Sequence, residues 1–478
     1  MAFLIGGANS AAADAGYNVA NSCRFDGSND YFTKTFGSDP TSTRIGTVSY
    51  WCKRSSFGAS IAGGLTTSGN GSSYMTNFNS SDQIDFWFYY PGSGADYEGE
   101  LKTNAVFRDP SAWMHVFFSY DTTQVTNTNR LKLYINGTQV TSLATATYPD
   151  QNQDVYWGTQ TQHRIGANPD TGNNKWNGYM AEVAYVDGVA HAITDFGEFD
   201  EDSPTIWKPK DISSGITWGT NGFYLDFEDS SALGDDVSGN NNDWTATGIA
   251  AVDQTTDTPT NNFATLNPLH MIGAQSELSQ GNLEWDPAAH HRIISTIAPT
   301  SGKWYAEVKG IDNPDKFNAG VCHYPIPANS SSSSFAFGDG VNADVGRWAN
   351  DFGVKANGDY GTNNSWSSYM ATLEGENNNI VGIYMDLDNY KIYLSKNGSL
   401  VSSTGKNLTN NSEPYGFISV GEAATFQWNF GQPSFALADT AITDDNGYGA
   451  FEYSPNITGD SEAKKFYALC TKNLAEFG

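Results

Sequence analysis

Carboxylates and tryptophans are the residues of this 478-residue sequence whose types and spacing could do chemistry. Glycosidic-bond cleavage needs two carboxyl groups ~5–9.5 Å apart, and Glu-x-Asp-x-x-Glu on a strand would put such acids on one face. The nearest approach is Glu198-Phe-Asp200-Glu201-Asp202, which has Ser203 where the last acid belongs and Pro204 beside it. An acidic loop is the preferred reading, so no catalytic residue is assigned and a non-enzyme is expected. His290 and His291 are adjacent, so on a strand their side chains diverge. Neither a G-x-S-x-G elbow nor a phosphate-binding loop occurs. Asp235, Asp236, Asn240, Asn242 and Asp243 crowd oxygen ligands into one Gly-containing loop, the chemistry of a hard cation such as Ca²⁺. Their spacing is not that of an EF-hand, and Asx turns explain such residues equally well. Saccharide binding would use exposed rings beside Asn and Asp. The candidates are Trp157, Trp176 with Asn173 and Asn174, Trp348 and Trp366, with packing beneath a loop as the alternative.

The elements that must position these groups read as β throughout. Aromatics make up 14% of residues and charged residues only 16%, the reverse of a disordered chain. Short alternating runs stand between Gly, Asn and Ser clusters. They include Thr47-Val-Ser-Tyr-Trp-Cys52, Gln83 to Tyr89, Met114 to Tyr120, Arg130 to Ile135 and Gly178 to Val186. Later runs are Lys303 to Lys309, Ile380 to Asp386, Lys391 to Leu394 and Thr425 to Phe430. Asn136-Gly137 and Asn397-Gly398 close two of them with the residue pair that accepts φ > 0 at both positions of a tight hairpin. Trp51, Trp87, Trp304 and Trp428 lie on alternating strands and are expected in the core. No helical periodicity persists. The expected fold is all-β, two jelly-roll sandwiches in tandem.

The expected organisation is an arm at 1–20, a first sandwich at 21–210, an ordered connector at 211–275, a second sandwich at 276–438 and a tail at 439–478. The connector carries Phe223, Phe227 and Trp244, more aromatics than a flexible linker would. Ser330 to Ser334 reads as a mobile loop tip. The formal charge of −28 repels phosphate backbones, so nucleic acid is not an expected partner. The opening residues lack the basic start and the apolar length of a signal peptide. No stretch approaches the ~20 apolar residues of a membrane helix, so no membrane insertion is expected. Four scattered cysteines indicate neither a zinc site nor a disulfide scaffold.

Two resemblances emerge from these segments. The first region resembles laminin-G-like, concanavalin A-like jelly rolls in Cys23-Arg-Phe-Asp-Gly-Ser-Asn-Asp-Tyr-Phe32, Tyr50-Trp51 with Lys53-Arg54, and Trp113-Met-His-Val116. Leu133-Tyr-Ile-Asn-Gly137, His163-Arg-Ile-Gly166 and Gly178-Tyr-Met-Ala-Glu-Val183 continue that series. The second resembles SPRY domains in Ser301-Gly-Lys-Trp-Tyr-Ala-Glu307, Val381 to Leu387, Ile392 to Gly398 and Phe430-Gly-Gln432. The joint, from Gly219 to Phe227, Asp236 to Trp244 and Asp257 to Asn267, is similar to that of marine bacteriophage appendage proteins. This resemblance implies a tail-fibre or other virion-surface component, made in the host cytoplasm and displayed on the particle. Its implied partners are other virion proteins and a host glycan or protein, with a homotrimer favoured and 1–20 as a docking arm. A head fibre or capsid decoration is the alternative, and a polysaccharide depolymerase the third.

Overall fold

The computed structural model describes residues 4–5, 16–59, 61–62, 65–67, 73–88, 99–168, 172–289, 291–323, 351–362, 365–409, 413–458 and 463–478. The chain is all-β and forms two compact units, Asp14–Thr260 and Asn261–Gly478, the second joined by the two-residue strand Leu4–Ile5. Among the described residues the one α-helix is Thr471–Phe477.

The first unit is a jelly-roll-like sandwich. The central strands of one eight-stranded sheet follow in the order Leu131–Ile135, Met114–Asp121, Ile45–Arg54, Asn177–Asp187 and Ser22–Asp26. The facing sheet holds Gly99–Thr103, Ile84–Phe88, Ser73–Phe78, Gln162–Ile165 and Tyr31–Thr35. Alternation sends Val116, Phe118 and Tyr120 into the inter-sheet core, with Phe86 stacked on Phe118 at 3.7 Å. Asn136 (φ 47°) and Gly137 (φ 77°) make the tight turn their identities require.

Two-layer sandwiches leave their outer faces wet, but part of this sheet's outer face is covered. His115, Phe117, Ala181, Ala184 and Val186 point outward, beneath Phe196, Trp207, Ile212 and Trp218 of the following segment. A stack of Trp51, His115 and Trp207 anchors this third layer, with centroid spacings of 4.9 and 6.1 Å. The cover explains why Asn177–Asp187 is buried at every position. The 211–260 part of the expected connector belongs to this unit, and Phe223, Phe227 and Trp244 lie in its core.

The second unit is also a two-sheet antiparallel sandwich. Leu266–Ile272, His291–Ser295, Tyr415–Gly421, Asn318–His323, Asp351–Lys355, Asp359–Thr362 and Ser365–Ser368 follow one another in one sheet. Glu284–Trp285, Phe426–Asn429, Lys303–Gly310, Ile380–Asp386 and Lys391–Lys396 form the other. Trp304 and Trp428 are buried between the sheets. The 439–478 tail is integral. Tyr467–Ala468 pairs parallel with Lys303–Gly310, and Phe451, Ile457 and Phe466 cover Tyr305, Tyr384 and Tyr393. Ser330 to Ser334 lies outside the described residues.

Candidate functional site

The expected ligand platforms are largely inside the protein. Trp157 and Trp176 are both fully buried in the first core, Trp157 against Phe86, Phe118 and Tyr120. Neither has a ring face to offer a sugar, which corrects that expectation. The loops carrying them fold back onto the sandwich, because sequestering an indole recovers ~2–3 kcal/mol of transfer free energy. Asn173 and Asn174 are exposed in the turn before Trp176, but without that ring they flank no platform. Trp366 is half-buried on the strand Ser365–Ser368, its ring 3.6 Å from the Lys355 ammonium. Trp348 lies outside the described residues. Of the strand tryptophans, Trp51, Trp304 and Trp428 are buried, while Trp87 is half-buried.

The expected cation loop uses its side chains on the backbone. Asp236 accepts from the Tyr224 and Ser238 amides through Oδ1 and from the Asn242 amide through Oδ2. Asp243 Oδ1 accepts from the Asp236 amide. The Asn240 side-chain amide donates to the Gly219 and Gly222 carbonyls, and that of Asn242 to the Thr220 and Gly222 carbonyls. Asp235 has its carboxyl pushed upward by burial and by nearby Asp243, Asp229 and Asp226. Among the described residues no three His, Cys, Asp or Glu side chains converge as a metal set. This loop is a hydrogen-bonded knot that stitches 235–243 to the 219–224 strand entry, the Asx-turn alternative to a cation site.

The acidic segment forms a hairpin, Gly197–Phe199 against Trp207–Pro209. Lys208 bridges Glu198 (3.8 Å) and Asp200 (3.4 Å), and Lys210 pairs with Glu198 at 3.4 Å. Asp200 also caps the turn by accepting from the Asp202 and Ser203 amides. His291 faces Glu277 at 2.8 Å. His115 donates or accepts at both ring nitrogens, to Ser49 (2.8 Å) and from Trp207 Nε1 (2.9 Å), and burial holds it down to about 3, so it stays neutral. These groups serve the scaffold.

A different group of side chains remains. On the outer face of the first sandwich, between Met114–Asp121, Leu131–Ile135 and residues 190–192, lies a cleft of about 390 Å³. Ser119 and Lys132 are directly opposite in the strand register, so their Cβ atoms sit ~4.5–5.5 Å apart. Tyr134 follows two residues on, hence on the same face, and packs edge-on to Phe117 at 5.7 Å. Gln124, Asn129 and His191 complete the rim. Asp121 also lines the cleft, but its carboxylate accepts from the Thr123 amide and hydroxyl and from the Gln124 side chain. His191 Nδ1 pairs with Asp195 at 2.9 Å. Sequence reasoning passed over this cleft, since polar residues alternating on a strand are the ordinary signature of a wet face.

Residues 26–192 match a family model described as the concanavalin A-like lectin/glucanases superfamily, of the laminin-G type. No curated protein sequence matches the chain. Among solved structures the chain is similar to the SPRY domain of human HERC1, at 10% identity over 34% of this chain and 96% of that one, with a TM-score of 0.25. It is similar to the TRIM65 PSpry domain at 15% identity, over 34% and 89% of the two chains, TM-score 0.25. Stonustoxin is similar at 14% identity, over 35% of this chain and 27% of its own length, TM-score 0.27. The chain thus carries a concanavalin A-like, laminin-G-type region at 26–192 and has SPRY domains among its structural neighbours.

Proposed function

We propose that the chain is a non-catalytic bacteriophage virion-surface protein, a tail-fibre or appendage component that attaches to a host-surface glycan or protein. The observation that carries the reading is the contrast on the first sandwich. The acids nearest to a hydrolase arrangement, Glu198 and Asp200, are tied to Lys208 and Lys210, whereas the outer cleft presents Ser119, Lys132 and Asn129 without side-chain partners among the described residues. Of the two activities in the matched family's description, lectin and glucanase, the lectin side agrees with that contrast. Attachment through such a shallow site is weak per copy and gains ~10²–10⁴ when several copies are tethered on one particle.

The test has two parts. Immunogold labelling of whole phage particles, with antibody to residues 276–438, is expected at the distal tail. Purified protein is expected to adhere to host cells and to release no reducing ends from their polysaccharide. Absence of label from particles sinks the virion assignment. Label over the head moves the protein to a head fibre or decoration, and released reducing ends make it a depolymerase.

A further inference from the structure

In a chain of net charge −28, an ammonium that forms no ion pair among the described residues is out of place. Most of the described Lys and Arg side chains are paired, hydrogen-bonded or laid over a ring, as Lys53 is with Asp257, Lys102 with Glu100 and Lys355 with Trp366. Among the described residues the Lys132 side chain makes no hydrogen bond, ion pair or ring contact, and it lines the outer cleft of the first sandwich. The Ser119 hydroxyl opposite it and the Asn129 side-chain amide beside it likewise have no partner among the described residues. Asp121, the carboxylate within the cleft, is turned to its own loop by three donors. The floor is rigid, because Met114–Asp121 sits between Leu131–Ile135 and Ile45–Arg54 in an eight-stranded sheet. A cation and a hydroxyl fixed on a rigid floor, with the Asn129 amide on the exposed turn beside them, match a ligand bearing one carboxylate and several hydroxyls.

We propose that this cleft binds an acidic saccharide unit, with Lys132 receiving the sugar carboxylate and Ser119, Asn129 and Tyr134 hydrogen-bonding its hydroxyls. The assignment rests on the attachment reading and names its ligand class. The net negative charge does not oppose it at short range, because charges beyond ~8 Å are screened at physiological salt. A single carboxylate in the cleft meets Lys132 first. A long polyanion would meet the rest of the surface, so the site suits a terminal acidic sugar rather than a charged polymer.

The experiment is a glycan array carrying uronate-, sialate- and neutral-terminated oligosaccharides, probed with the full chain at physiological salt. The best acidic glycan is then compared with its methyl ester, which keeps every hydroxyl and removes the charge. The expected result is retention of acid-terminated glycans, with roughly tenfold weaker binding of the ester. Lys132→Met should erase that difference and Lys132→Arg should keep most of it. Lys132 is half-buried at the surface, so both variants should fold, with unchanged circular dichroism. Equal binding of acid and ester, preference for neutral glycans, or unchanged selectivity in Lys132→Met overturns the assignment. If host-cell adhesion persists at full strength in Lys132→Met, attachment stands and this cleft is not its site. If the wild-type chain does not adhere at all, the attachment reading itself falls.

Discussion

The two sandwiches solve the same packing problem with different materials. In the first, charge is buried in pairs where the 251–257 segment crosses the sheet. Arg24 meets Asp253 at 3.1 Å and Lys53 meets Asp257 at 2.8 Å, with all four side chains almost wholly inside. Asp257 also accepts from Trp113 Nε1. Arg54 joins Asp82 at 2.9 Å, which Arg108 caps at 2.6 Å. In the second, the core is aromatic and aliphatic, with Trp428 stacked on Phe430 at 5.2 Å. A buried carboxylate, Glu307, gathers the Glu452 and Tyr453 amides and the Asn429 side chain. The first unit therefore buries several directly paired charges, whereas the second buries a carboxylate held by neutral donors and keeps buried Arg292 and Asp351 near enough to interact. A buried pair adds little net stability over an apolar replacement, yet breaking it strands a charge in a low dielectric.

The largest expected effect follows from that asymmetry. Asp257→Ala takes the carboxylate at 2.8 Å away from the buried Lys53 ammonium, and should destabilise the first unit by ~3–5 kcal/mol in denaturant unfolding. Lys53→Met combined with Asp257→Leu should recover most of the loss, since neither partner is then stranded. If the double variant is as unstable as the single one, the pair is not what holds the 251–257 segment.

The next comparison sets the two buried carboxyls against each other. Glu182 sits in Asn177–Asp187 at a bulge, where the register against Ile45–Arg54 slips between Ala181 and Ala184 and its φ is +52°. The bulge turns Glu182 to the outer face, where Tyr224 (2.7 Å) and Tyr17 (3.2 Å) donate to it. Burial, helped by Asp226 and Glu228, raises its pKa from 4.5 to about 8. Glu307, with two backbone amides among its donors, is raised by burial only to about 7. A carboxyl with a raised folded-state pKa stabilises fully below its unfolded value and loses that contribution as pH climbs to the folded one. Melting temperature should therefore fall between about pH 4.5 and 8, with a Glu182 component at the upper end. Glu182→Gln keeps an acceptor for both tyrosines and should flatten that upper limb. An unchanged slope in the variant would mean that Glu182 is not the titrating group.

Smaller still is the effect expected of Glu307→Gln. The carbonyl can accept from one backbone amide, but the new NH₂ faces the other, leaving a buried donor unsatisfied at a cost of ~1–3 kcal/mol. The loss should be local, read as faster hydrogen exchange at the Glu452 and Tyr453 amides. Uniform acceleration across the second sandwich would instead make this carboxylate a global support.

What could be read from the sequence divides along the same physical line. Period-two runs and Asn-Gly pairs encode their own geometry, so Met114–Asp121, Leu131–Ile135 and the turn at Asn136-Gly137 were legible residue by residue. The aromatics of the connector announced a packed segment. Trp157 and Trp176 misled because loop membership says nothing about which loops fold back over a core. The Glu182 bulge left only a trace, a lone acid inside an apolar run whose strict alternation would have placed it with Met180. Lys132 was illegible in principle, since its distinction is the lack of a side-chain partner among the described residues, which only the fold can show.

The smallest predicted effect concerns the loop at 235–243, where the sequence offered oxygen ligands and the fold spends them on its own backbone. A ligand bound only to the folded state at a hundredfold excess over its Kd adds ~2.7 kcal/mol, enough to move a melting curve visibly. Millimolar calcium or a chelator should therefore leave the first unit's Tm unchanged. Asp236→Ala should lower that Tm by the same amount with and without calcium, because its three amide donors lose their acceptor in either case. A Tm that rises with calcium in the wild type but not in Asp236→Ala would return the cation to this loop. The hydrogen-bonded knot would then be the resting form of a metal site, and the first sandwich would be tuned by an ion as well as by its buried pairs.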